Sequence, residues 1–93
     1  KGYVLRILEK YDEAIQTLNE ALKINPLLDS AWNDIGVCLN SQGKYEDSLR
    51  YFDEAIKLNP KIEVTWYNKG NSLQSLDRFD EALQCYDESI RLK

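Results

Sequence analysis

The chain has 93 residues, with 12 basic against 16 acidic side chains, two cysteines and no histidine. That length suits one small domain, and the net charge of -4 argues against duplex nucleic acid, which needs a basic stripe to displace counterions from phosphates. Without histidine the usual general base and the commonest metal ligand are missing, and Cys38 and Cys85 form no C-x-x-C pair for zinc or redox work.

Taken in order, residues Lys1 to Leu8 read as the tail of a helix, and Tyr11 to Ile24 as a complete one that ends before Pro26. A third helix follows, with Asp29 as its expected N-cap and Gly43 where it must stop. Its buried stripe is Trp32, Ile35, Gly36 and Leu39, spaced i, i+3, i+4, i+7. The next helix runs from about Tyr45 to Leu58, with Ser48, Leu49, Phe52, Ala55 and Ile56 inward, and Pro60 ends it. The same grammar continues from Val64 to Leu76 and from Phe79 to Leu92.

These helices repeat in one register of 34 residues. Gly2, Gly36 and Gly70 align, as do Leu5, Leu39 and Leu73, then Tyr11, Tyr45 and Phe79, then Leu18, Phe52 and Tyr86. Ala14, Ser48 and Ala82 form a small-residue set, as do Ala21, Ala55 and Ser89, and Trp32 pairs with Trp66. One helix pair cannot bury its apolar faces alone, so the expected fold is all-α, a solenoid of stacked helix-turn-helix repeats. Gly36, with Ser48 and Ala55, is expected to let two backbones approach closely, and the aromatics around it are read as core. The expected divisions are 1–28, a partial repeat with a truncated first helix, then 29–62, then 63–93, which lacks its end. Starting at Lys1 without methionine and partway through a repeat, the chain is expected to be a fragment of a longer protein.

Trp32, Ile35, Gly36, Leu39, Tyr45, Ser48, Phe52, Ala55 and Pro60 together resemble the signature of the tetratricopeptide repeat, over essentially the whole chain. The departures are Ser48 and Ser89, where alanine is usual, and Lys69, where a leucine precedes the glycine; Lys69 is expected to lay its stem along the core edge. The resemblance implies a right-handed α–α superhelix whose first helices line a concave surface that holds peptides.

The two helix types carry different exposed faces. Second helices show charge outward, acids first and bases later, as in Glu46, Asp47, Arg50 and Lys57, which suits the helix dipole and i,i+4 pairing on a solvated face. First helices instead present Ser30, Asn33, Val37, Asn40 and Ser41, then Val64, Tyr67, Asn71, Gln74 and Ser75, with no charge in the arc. Amides and hydroxyls there suit hydrogen bonding to a peptide backbone. The candidate contacts are Tyr3, Arg6, Ser30, Asn33, Val37, Asn40, Tyr67, Asn71 and Gln74; generic repeat sequence under no functional constraint is the competing reading. One subtype of the family binds acidic chaperone tails through Lys and Asn on its first helices. Asn71 matches, but Tyr67 stands where the lysine belongs, so that clamp is not supported.

The leading expectation is a non-catalytic protein–protein interaction scaffold that binds a partner peptide in the concave groove. The alternative is a spacer or positioning module within a larger multidomain enzyme or regulator, with end-to-end self-association through Leu83, Tyr86 and Ile90, which no following helix would cover. No paired acid–base constellation, nucleophile motif or phosphate-binding loop points to catalysis, to a cofactor or to a metal. No apolar run approaches the roughly 20 residues of a membrane span, and no signal-peptide pattern is present. With cysteines read as reduced thiols, the expected location is the cytoplasm.

Overall fold

The structure, a computed structural model, describes the backbone from Gly2 to Lys93 and side chains from Lys10 onward. Among the described residues five helices follow one another: α1 (Gly2–Ile24), α2 (Asp29–Ser41), α3 (Tyr45–Leu58), α4 (Glu63–Ser75) and α5 (Phe79–Leu92). Each packs on the next, and α2 also meets α4. The extents of 39 × 33 × 20 Å make a slab two helices thick, since one helix with its side chains is about 10 Å across.

The turns inside the two helix pairs share one geometry. After α2, Gly43 N–H bonds Asn40 C=O at 3.0 Å and Lys44 N–H bonds Leu39 C=O at 2.8 Å. After α4, Asp77 N–H bonds Gln74 C=O at 3.0 Å and Arg78 N–H bonds Leu73 C=O at 2.9 Å. These are Schellman closures, and they need a left-handed residue: Gly43 has φ 80° and Asp77 φ 62°. Glu9 holds the same register position, yet α1 runs straight through it. Glutamate favours the right-handed helix and would lose about 1–2 kcal/mol in the left-handed region. The expected break between Leu8 and Tyr11 is therefore absent.

The start of α2 also differs from expectation. Leu28 is the N-cap, its carbonyl accepting from Ala31 and Trp32 N–H, while Asp29 sits inside the first turn and accepts from Ser30 N–H at 2.9 Å. Asp29 still places a negative charge at the positive end of the helix dipole.

Among the described residues, two apolar clusters fill the interior. Leu22, Ala31, Ile35 and Leu39 join α1 to α2, with Trp32 and Tyr51 against them; Leu49, Leu73, Ala82 and Cys85 join α3, α4 and α5. Phe52 is fully buried, its ring over Gly36, where a Cβ would come within 2.5 Å of Cε1. Gly36 thus makes room for an aromatic ring rather than for a second small residue. Tyr86 sits over Gly70 in the same way, 2.7 Å from the position of a Cβ. Ser48, where alanine is usual, donates to Tyr45 C=O at 2.7 Å and meets Ser72 Oγ at 2.8 Å, so this wholly buried hydroxyl is satisfied across the α3–α4 contact.

Candidate functional site

The flank formed by α2 and α4 is held by a direct link: the Asn68 side-chain amide donates to Asn33 Oδ1 at 3.2 Å. Helices α2 and α4 carry seven of the nine sequence-predicted residues. Ser30 and Val37 are exposed along α2, with Asn33 and Asn40 half-buried. On α4, Tyr67 is 51 % exposed, Gln74 is exposed and Asn71 is half-buried. Tyr3 and Arg6 lie outside the described side chains.

Tyr86 reaches this flank from α5. Its hydroxyl lies 2.7 Å from Asn71 Oδ1 and 2.8 Å from Gln74 Oε1. A phenol has one hydrogen, so it donates to one of these residues and accepts from the other's amide once that amide is turned over. The Tyr86 ring faces Tyr67, with centroids 5.7 Å apart and planes tilted by 49°. Burial pushes the Tyr86 phenol above its usual range, and Tyr67 and Cys85 add to this, so the hydroxyl stays protonated at neutral pH. Tyr67, Asn71, Gln74, Tyr86, Ser89 and Ile90 line a shallow cleft of about 350 Å³.

Chemically the flank offers uncharged donors and acceptors around an exposed aromatic ring. Asp34 stands beside it, exposed, and its charge adds to burial in raising the Cys38 thiol. Two participants were not singled out as contacts from sequence. Asn68 lies just outside the arc by helical geometry, and Tyr86 falls in the core register of Leu18 and Phe52 and among the end residues expected to be left uncovered.

The opposite faces are charged. Lys23–Glu20, Lys57–Glu54 and Arg91–Glu88 pair at 3.5, 3.5 and 2.6 Å, all at i,i+3 rather than the expected i,i+4. The Arg91 hydrogen bond holds the Glu88 carboxyl below its usual value. Exposed pairs of this kind contribute little to stability. Among the described residues, no group of three His, Cys, Asp or Glu side chains could hold a metal ion, and no helix is long and apolar enough to cross a membrane.

A family model described as tetratricopeptide repeat matches residues 30–62 and 64–93, and a second, described as TPR repeat, matches residues 2–40. Among solved structures, MamA AMB-1 is 25% identical with a TM-score of 0.83, over 90% of this chain and 50% of that one. MamA MSR-1 is 24% identical with a TM-score of 0.83, over 89% of this chain and 48% of that one. The chain thus spans about half the length of these MamA chains. The second TPR of Spaghetti (RPAP3), bound to the HSP90 peptide SRMEEVD, is 19% identical with a TM-score of 0.87, over 90% of this chain and 78% of that one. A search of curated proteins finds no match.

Proposed function

The chain belongs to the tetratricopeptide repeat family, and we propose that it is a non-catalytic scaffold that holds a partner peptide against the α2–α4 flank. The observation that carries this reading is the uncharged, amide-lined surface shared by those two helices, on a chain whose other faces are studded with charge. Ser30, Asn33, Val37, Asn40, Tyr67, Asn71 and Gln74 are the proposed contacts, with Tyr3 and Arg6 extending the row, and Asn68 joins them through its bond to Asn33. Tyr86 fixes Asn71 and Gln74 before any ligand arrives, which lowers the ordering cost of binding.

The peptide complex of the RPAP3 domain supports a peptide as the class of ligand. Here the contacts on α2 and α4 include no lysine or arginine to meet a carboxylate-rich segment such as SRMEEVD, so a segment uncharged at the contact is the expected ligand. The unpaired thiols of Cys38 and Cys85 suit a reducing compartment, the cytoplasm. Residues 29–62 and 63–93 would act as two repeats, with 1–28 as part of another.

The test is a peptide-display selection on the chain, with hits retested on a Tyr67→Ala, Asn71→Ala double variant whose folding is checked by circular dichroism. Hits that share a motif and are lost in the variant support the reading; binding indifferent to both changes would sink it.

A second reading has its own observation. Leu83 on α5 is 60% exposed and Ile90 71%, whereas Leu49, the counterpart of Leu83 on α3, is 9% exposed beneath α4. As a positioning module the chain would associate end to end through Leu83, Tyr86 and Ile90. Sedimentation at rising concentration separates the readings: a mass that stays monomeric removes this one.

A further inference from the structure

The two ends of the α2–α4 flank differ in one bridge. Beside α4, the Tyr86 hydroxyl stands between Asn71 Oδ1 and Gln74 Oε1, at 2.7 and 2.8 Å. Beside α2, the counterpart of Tyr86 is Phe52, which has no hydroxyl, and those of Asn71 and Gln74 are Val37 and Asn40. The two amides next to Tyr86 therefore cannot turn independently of each other, whereas nothing of the kind links Val37 and Asn40.

The constraint follows from counting hydrogens. The phenol has a single hydrogen, which it keeps at neutral pH. It donates to the carbonyl of one amide and accepts from the N–H₂ group of the other. Whichever amide takes which part, one N–H₂ group and one carbonyl are left to meet a ligand. Turning both N–H₂ groups outward would set two carbonyl oxygens against one hydrogen. With both carbonyls outward, the phenol hydrogen would lose its acceptor. Either arrangement forfeits a hydrogen bond.

Both amides line the shallow cleft together with Tyr67, Ser89 and Ile90, and no charged residue lines it. Tyr67, Gln74 and Ile90 are exposed, whereas Asn71 and Tyr86 are half-buried. A side chain can enter to the depth of Asn71 while its own main chain stays outside, with its methylenes against the Tyr67 ring and Ile90.

We propose that this cleft selects a glutamine side chain of the partner peptide, whose carboxamide presents its carbonyl to the free N–H₂ group and its N–H₂ group to the free carbonyl. The proposal rests on the flank holding a peptide and adds the residue that is recognised there. A carboxylate brings no hydrogen for the free carbonyl, an ammonium brings no acceptor for the free N–H₂ group, and neither finds an opposite charge in the cleft.

The probe is acetyl-Gly-Gly-Gln-Gly-Gly N-methylamide, which carries one primary carboxamide, compared at pH 7 with the same peptide bearing glutamate or norleucine instead. The titration follows side-chain amide signals in a nitrogen-15 correlation spectrum, at a chain concentration where sedimentation gives the monomer. The expected result is saturable movement of Asn71 and Gln74 with the glutamine peptide, and binding about fivefold weaker with either replacement. Tyr86→Phe keeps the ring that Phe52 has at the same register position but frees both amides to turn. In that variant glutamine's advantage over glutamate should shrink to about twofold or less. No saturable movement of Asn71 and Gln74, equal binding of the glutamate peptide, or an unchanged advantage in Tyr86→Phe would overturn the proposal. Equal binding of norleucine would assign the contact to the peptide main chain and overturn it too. None of these results decides whether display-selected peptides lie along the flank, so the two readings fail separately.

Discussion

Replacing Gly36 by alanine sets two effects of opposite sign against each other. A Cβ at this position would lie 2.5, 2.7 and 2.9 Å from Cε1, Cδ1 and Cζ of Phe52, where carbon atoms prefer about 3.5–4.0 Å. The ring must retreat by about 1 Å, and Phe52 has no exposed surface into which to move. Overpacking of this kind costs about 1–3 kcal/mol, while alanine in place of glycine inside a helix returns about 0.8–1.0 kcal/mol. The expected net loss is about 1 kcal/mol. In a Phe52→Leu background the shorter side chain clears the space, so the same substitution should stabilise by about 1 kcal/mol. Urea unfolding of the four chains, followed by circular dichroism, gives the coupling as a double-mutant cycle, expected at about 2 kcal/mol. Gly36→Ala stabilising by the same amount in both backgrounds would refute the contact and leave the glycine unexplained.

Three further predictions concern turns, buried hydroxyls and pH. Asp77→Gly relieves the left-handed strain at φ 62° while keeping the Schellman bonds, and should raise stability by about 0.5–1 kcal/mol in the same unfolding assay. Thr65 is 1% exposed and its Oγ1 makes no hydrogen bond, so Thr65→Val, of similar shape, should stabilise by about 1 kcal/mol, seen as a higher urea midpoint. Burial raises Cys38 and Cys85 above their usual 9.0 and Tyr86 above its usual 10.0. The unfolded chain releases these protons first, so their contribution is complete below about pH 9 and falls as pH rises through the folded values. Thermal midpoints measured from pH 8 upward should decline accordingly, and Tyr86→Phe should soften the part of the decline above pH 10.

The repeat, its helices and its core were legible in the sequence because burial imposes the same side chains at the same positions every 34 residues. Phe52 and Ile35 are buried for that reason, and Gly43 turns the chain because its register requires positive φ. What crosses between repeats was harder to read. The Asn33–Asn68 bond and the Lys69–Asp53 pair depend on how neighbouring helices lie against each other, which no single helix pattern encodes. Tyr86 reaches the flank only because Gly70 lets its ring cross α4. The continuity of α1 turned on one residue, Glu9, holding a position where glycine or aspartate is needed to turn the helix.

The claim that the α2–α4 flank holds the peptide is tested most directly by mapping a selected peptide onto side-chain amide signals. Asn33, Asn68, Asn71 and Gln74 should move together in a nitrogen-15 spectrum as the peptide saturates, while Gln84 on the outer face of α5 stays in place. Movement at Gln84 with the four flank amides silent would contradict it.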